Sequence, residues 1–200
     1  MKSRLLAAAA PAILGATALA GLSGTGNAKE TASVTAIPRG TGYFAQESTL
    51  PFHAPDFTKI HDEDYRGALE QGMAIYLAEV EAIANNPAPA TFENTLVAMQ
   101  KSGRMFMRAY APFGQMTSAN TNDTLDAIDK DISPKIAALQ DAIYLNDKLF
   151  ARLKAVYDNR AAMSMTGEDA MLLETAYADF VHAGALLDAK HKEELKAINT

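Results

Sequence analysis

Apolar residues recur along most of the chain at alternating steps of three and four, the spacing of one face of an α-helix. The clearest case is the stretch from Thr91 to Phe113. Seven residues follow this spacing there: Phe92, Leu96, Met99, Gly103, Phe106, Tyr110 and Phe113. The charged residues that fall outside this face are expected to meet water: Glu93, Lys101, Arg104 and Arg108. The pattern predicts one helix over the whole stretch, with Thr91 as its N-cap and Pro112 kinking or ending it near Ala109.

Gly103 is the unusual member of this apolar face. A glycine inside a helix costs about 1 kcal/mol relative to alanine. Since a bare Cα leaves room for a neighbour, its position indicates that another helix approaches closely at this point.

Five further helices are predicted along the chain. They begin near Asp62, Asn122, Asn146, Thr166 and Asp188. The one that follows Asn122 keeps its spacing through Pro134, which predicts one kinked helix or two nearly collinear helices. In the last helix, Leu195 and Ile198 form the predicted apolar face. No stretch shows a convincing two-residue alternation, so the sequence predicts an all-α fold, a multi-helix antiparallel bundle-like region.

The first 28 residues are typical of a secretory signal peptide. A positively charged start precedes an apolar, alanine-rich stretch over 5–22, and Gly26 and Ala28 supply the small residues that a signal peptidase requires. A permanent membrane anchor is the alternative, but the stretch is only marginally long enough to span a bilayer. We therefore expect cleavage, no stable membrane span afterwards, and export to a bacterial periplasm.

Two segments separate this signal from the helices. Residues 29–49 are rich in Thr, Ser, Gly and Ala without an apolar period, which predicts a flexible leader. Prolines hold the next stretch, 50–60, extended, and its apolar residues Phe52, Phe57 and Ile60 are expected to be buried across the helical body. The predicted helical region is 50–200.

Composition excludes several kinds of function. The 200 residues carry a net charge of −6 and no cysteine. The absence of cysteine excludes disulfides, thiolate metal sites and a cysteine nucleophile. The acidic charge, together with the lack of a basic stretch interleaved with aromatic residues, argues against a nucleic-acid partner.

No complete catalytic motif is present, and we assign no catalytic, cofactor-binding or metal-binding residue to the chain. A zinc hydrolase of the H-E-x-x-H type needs two histidines one helical turn apart, and none of His53, His61, His182 and His191 has such a neighbour. A remote pair of His182 with His191 would require a helix reversal. The M-x-M pairs at Met105 and Met163 suggest Cu(I), but residues two apart on a helix point in different directions, so methionine as core filler is favoured.

Several segments, in this order, resemble the N-terminal helical region of the peptidyl-dipeptidases and oligopeptidases of the thimet-oligopeptidase type. They are Leu50-Pro51-Phe52, Ala54-Pro55-Asp56-Phe57, Glu63-Asp64-Tyr65, Gly72-Met73, Asn86-Pro87, Thr91-Phe92-Glu93-Asn94-Thr95, Asp141 to Asn146, Phe180 to Ala185, and Leu195 with Ile198-Asn199. The resemblance covers about residues 50–200.

This resemblance implies a zinc metallopeptidase that acts on short oligopeptides inside a deep channel. The helical N-terminal region would form one channel wall and pack against a C-terminal catalytic region that holds the Zn²⁺ ligands and H-E-x-x-H. Because that motif is absent here, we expect this chain alone to be inactive. Its last helix stops at Thr200 in mid-pattern, which favours the front part of a longer enzyme over a truncated product. The alternative is a stand-alone, non-catalytic helical module that binds peptides or proteins in the periplasm.

Overall fold

Residues 37–199 are described in a computed structural model of the chain, and they all lie within one unit, Val34–Thr200. This range contains seven α-helices and no β-strand, which confirms the predicted all-α fold. The helices are α1 (Asp64–Ala84), α2 (Ala98–Lys101), α3 (Arg104–Ala119), α4 (Asp123–Tyr144), α5 (Asp147–Asp158), α6 (Gly167–His182) and α7 (Ala189–Asn199). None of them is long and apolar enough to cross a membrane. The predicted signal peptide, 1–28, lies outside the described residues.

Helix α1 lies at the centre of the bundle, packing against α3, α4 and α5. Apolar side chains of this helix are buried, and Tyr65 and Leu69 are 1% and 0% exposed. The ring of Tyr65 joins an aromatic group, with Phe44 on one side at 5.6 Å between ring centroids and Phe113 on the other at 5.4 Å. Burial of these large apolar surfaces is the main source of stability for the bundle.

The prediction of a single helix from Thr91 to Phe113 is wrong. A π-helical segment (Phe92–Val97) and the short α2 come first. The helical conformation is interrupted at Ser102 and Gly103, and α3 then begins at Arg104. Gly103 has a φ of 71°, a left-handed conformation that side chains disfavour. It therefore separates two helices and does not lie inside one.

The start of the π-helical segment matches its prediction. The Thr91 hydroxyl accepts a hydrogen bond from the Asn94 amide at 3.1 Å, and the Asn94 side-chain oxygen accepts one from the Thr91 amide at 2.9 Å. This reciprocal capping box satisfies backbone donors that the first helical turn leaves free.

Neither proline within a helix ends it. Pro112 lies inside α3, which continues to Ala119, so the predicted end near Ala109 is wrong. Pro134 lies inside α4, which is one continuous helix, as one of the two predicted alternatives had it. The Asn122 side chain caps α4 by accepting hydrogen bonds from the amides of Thr124 and Leu125.

The three remaining helices begin where the sequence predicts. Asn146 caps α5, Thr166 caps α6, and the amide of His191 in α7 donates to the Asp188 carboxylate at 2.9 Å. The apolar face predicted for α7 is wrong at Ile198, which is 80% exposed. A polar residue takes the inner side, since Lys192 is 6% exposed and pairs with Asp147 of α5.

The segment before α1 packs differently from its prediction. Phe52 and Phe57, which were expected to be buried, are exposed, and of the three anchors only Ile60 packs against the core. Phe44 is buried in their place. Arg108 of α3 holds it there by donating from Nε to the Phe44 carbonyl and from Nη2 to the Ala45 carbonyl, both at 2.8 Å. The helical pattern had indicated that Arg108 faces water. In the structure its guanidinium binds these two backbone carbonyls.

Candidate functional site

The four histidines lie on separate elements, and each makes only local contacts. His53 Nδ1 is 2.9 Å from the Ser48 carbonyl, His61 Nδ1 is 3.3 Å from Asp64, and His191 Nδ1 is 2.9 Å from Asp188. Within residues 37–199, no hydrogen bond or ion pair joins His182 to His191. In the same range, no three side chains of the histidine and carboxylate type lie close enough to hold a metal ion.

The methionines of the M-x-M pairs differ in their surroundings. Met105 is 6% exposed in the core and Met107 is 52% exposed on the surface, as expected for two positions that diverge on a helix. Met163 and Met165 are partly buried against the core. Met105, Met163 and Met165 thus fill space between apolar neighbours.

A cleft of about 510 Å³ lies between the first turns of α1 and α4, and its lining includes Glu63, Arg66 and Asp123. The Arg66 guanidinium is already paired with Asp131. Lys135 also contacts Asp131, at 3.0 Å, and it holds the pKa of that carboxyl below its usual range. Arg66 and Lys135 thus pair with carboxylates across the two helices, and these contacts tie α1 to α4.

A second cleft, of about 600 Å³, lies between the first turns of α1 and the segment around residues 41–44. Gln71 of α1 donates to the Thr41 hydroxyl at 3.1 Å across it. Lys59 on its rim pairs with Asp56 at 3.0 Å, and this contact raises the pKa of Lys59. At both clefts, polar contacts thus join neighbouring segments of the chain, Arg66 to Asp131 at the first and Gln71 to Thr41 at the second.

Arg152 of α5 provides the most extensive polar contact in the described part of the chain. Its Nη1 donates to the carbonyls of Asn86 and Ala88 at 2.8 and 2.9 Å, and its Nη2 donates to Asn94 Oδ1 at 2.8 Å. One planar guanidinium thus holds both the connection after α1 and the capping box that follows it. The sequence showed no signal for this role beyond an arginine on the predicted polar face of a helix.

The surface also carries large apolar side chains that the bundle does not cover. In chain order they are Ile37, Leu50, Phe52 and Phe57 before α1, Met107 and Tyr110 on α3, and Met171, Leu186, Leu187 and Ile198 towards the end. Single exposed apolar residues are common, whereas contiguous apolar patches are typical of surfaces that contact a partner.

No family model matches the chain. Two curated proteins match the chain. The chain is 41% identical over 160 residues to a dipeptidyl carboxypeptidase of Salmonella typhimurium, and 41% identical over 157 residues to one of Escherichia coli K12. The chain is similar to the N-terminal part of dipeptidyl carboxypeptidases. The matched residues make up 80% and 78% of this chain. This similarity confirms the resemblance that the ordered segments had indicated.

The chain spans about a quarter of the length of these relatives, 24% and 23% respectively. The similarity therefore concerns only the N-terminal part of these relatives. Within this part, the structural features that stand out are packing contacts and uncovered apolar surfaces.

Proposed function

We propose that this chain is the N-terminal part of an exported zinc-dependent peptidyl-dipeptidase that hydrolyses short peptides. The observation that carries the proposal is the 41% identity, over about four fifths of the chain, to proteins named dipeptidyl carboxypeptidase. The ordered segments from Leu50 to Asn199, recognised on the sequence alone, support the same family.

In this proposal the helical region forms one wall of the substrate channel and packs against a catalytic region outside these 200 residues. That region supplies H-E-x-x-H, the Zn²⁺ ion and the activated water. The chain's own contribution is shape: α1, α3 and α4 form a rigid bundle, and the Arg152 contacts fix the connection after α1. A rigid wall supports catalysis by limiting which peptides reach the reacting atoms and how they are oriented.

Replacing the matched segment of the E. coli relative by the corresponding residues of this chain tests the proposal. We expect this chimera to bind zinc and to release C-terminal dipeptides from an N-blocked tetrapeptide, measured by mass spectrometry, whereas the 200-residue chain alone releases none. The unmodified relative is the positive control. Hydrolysis by the chain alone, or a folded, zinc-loaded chimera without activity, would contradict the proposal.

The second candidate is a stand-alone helical module that binds peptides. A specific observation favours it, since one continuous core runs through the described residues and includes fully buried Leu125, Leu149 and Leu173. Such a core is what an independently folding domain needs. Calorimetric titration of the 200-residue chain with unfolded peptides separates the two candidates, because a stand-alone module would bind them without any other polypeptide.

A further inference from the structure

The loop before α1 displays a phenylalanine in a costly conformation. Phe52 has a φ of 59° and the next residue, His53, a φ of 55°. Residues other than glycine are strained in this left-handed region and persist there only where the surroundings enforce it. The Phe52 side chain is nevertheless fully exposed, so the bundle itself gains no burial from it.

Local polar contacts hold this loop in place. The His53 amide donates to the Leu50 carbonyl at 3.0 Å, and the His53 ring contacts the Ser48 carbonyl at 2.9 Å. The Asp56 amide donates to the Tyr43 hydroxyl at 2.7 Å, and the Tyr43 ring packs edge-on against the buried Phe44. The loop is thereby anchored to the core at Phe44 while it presents its apolar side chains outward.

Three of the exposed side chains of this loop are large and apolar, and the charges of Glu47 and Asp56 near them are already paired. His53, Thr58 and Lys59 are exposed beside them. Leu50 is 40% exposed and Phe57 is 52% exposed. Glu47 lies 3.5 Å from Arg104, and Asp56 lies 3.0 Å from Lys59. Such a surface is better suited to pack against apolar side chains of another stretch of polypeptide than to bind the charged terminus of a short peptide.

We propose that Leu50, Phe52 and Phe57 form a docking surface for the polypeptide that follows the matched segment in the longer relatives. This inference rests on the proposed function. The occupant is indicated by length, since the relatives contain about three quarters of their chain beyond the part that matches. The strained backbone at Phe52 is then offset by a contact that the 200-residue chain does not contain.

The absence of cysteine makes a direct test possible, because one introduced thiol gives a clean labelling signal. Phe52→Cys is made in the 200-residue chain and in the chimera with the E. coli relative, and the rate of maleimide labelling is compared. The chimera without the introduced thiol gives the background. Ala155→Cys, at an exposed position of α5, is the matched control in both proteins.

We expect rapid labelling of Phe52→Cys in the chain alone and labelling at least tenfold slower in the chimera, with the Ala155→Cys rates alike. Equal rates for Phe52→Cys in the chain and in a soluble chimera would overturn the docking surface. Protection that develops in the chain alone as its concentration rises would also overturn it, because a second copy would then be the occupant.

A second measurement does not depend on the chimera. Phe52→Ser should leave the melting temperature of the 200-residue chain unchanged, because the ring contacts no core there, and should lower it in the chimera by several degrees. A fall in the chain alone would show that Phe52 is already packed, and would overturn the proposal. Dipeptide release is read separately: an inactive chimera that protects the thiol contradicts the proposed function and leaves the docking surface standing.

Discussion

Gly103 is subject to two separate constraints, and each of them excludes a side chain. Its φ of 71° is disfavoured for every L residue, and a Cβ built on it would lie 2.8 Å from ring atoms of Tyr76. Its amide also donates to the Glu79 carboxylate of α1 at 2.7 Å. The residue therefore works as a tight junction between α2 and α3 that is pressed against α1.

Gly103→Ala should destabilise the protein by about 1–3 kcal/mol, from the left-handed backbone and the clash with Tyr76. Denaturant unfolding followed by circular dichroism measures the change. The control is Gly67→Ala, at an exposed position inside α1 with nothing within 4 Å of the new Cβ. That substitution should stabilise the protein by about 0.5–1 kcal/mol, since alanine is the better helix former. Equal effects at both sites would contradict this account.

Tyr65 is the other residue with an unusual environment. Its hydroxyl is buried without a hydrogen-bond partner, and burial, with smaller contributions from Asp62 and Asp64, raises the pKa of the phenol to about 12. The ordinary value is 10. Between these pH values the unfolded chain releases the proton and the folded chain keeps it, so stability falls as pH rises through this window.

Tyr65→Phe should remove this pH dependence, which amounts to at most about 2–3 kcal/mol between pH 10 and 12. At pH 7 the substitution should stabilise the protein by up to about 1 kcal/mol, because it deletes a buried hydroxyl that lacks a partner. Urea unfolding at a series of pH values measures both effects. The control is Tyr110→Phe on the exposed side of α3, which should leave the slope as in the parent protein.

Among the elements, the contact between α1 and α3 shows where a helix does approach a glycine closely. A Cβ on Gly72 would lie 2.7 Å from the Cα of Phe106, so the backbones of the two helices meet at this point. The close approach that the sequence indicated at Gly103 is made there by the Tyr76 side chain of α1, whereas at Gly72 the two backbones themselves meet. Both glycines lie beside apolar neighbours, and spacing alone does not show which backbone touches.

Gly72→Ala should force α1 and α3 apart and cost about 1–3 kcal/mol through overpacking, although alanine favours the helix locally. The expected signature is a lower denaturation midpoint together with a change in the near-UV circular dichroism of the nearby aromatic rings. Gly114→Ala in α3, where the new methyl group meets nothing within 4 Å, is the matched control and should be neutral or stabilising. A stabilised Gly72→Ala protein would show that the two helices are not in contact there.

For the whole molecule, the signal peptide and the periplasmic location stay predictions from the sequence. Of the predicted flexible leader, residues 37–49 are described, and Phe44 among them is buried. Expression with its own leader in a Gram-negative host should give a periplasmic product that begins near Lys29, as read by N-terminal sequencing. Ala28→Arg, which removes the small residue before the cleavage site, should leave the precursor uncleaved. Cleavage at an unrelated site in both proteins would contradict the predicted boundary.

The helical character of this protein, and the positions where most of its helices begin, were determined by the sequence alone. Apolar spacing and capping residues such as Asn122, Asn146 and Thr166 act over one or two turns, so they can be recognised without knowing what packs nearby. The ordered segments also indicated the similarity to the N-terminal part of dipeptidyl carboxypeptidases correctly, because they are local sequence features too.

Tertiary structure decided the rest. Gly103 follows the spacing of a helix, yet it interrupts the helix because Tyr76 and Glu79 of α1 hold it in a left-handed turn. Phe44 is buried while Phe52 is exposed, because Arg108 and the aromatic group around Tyr65 fix which of the two phenylalanines enters the core. These outcomes depend on contacts between residues far apart in sequence, and a local pattern contains no information about which partner will be in place.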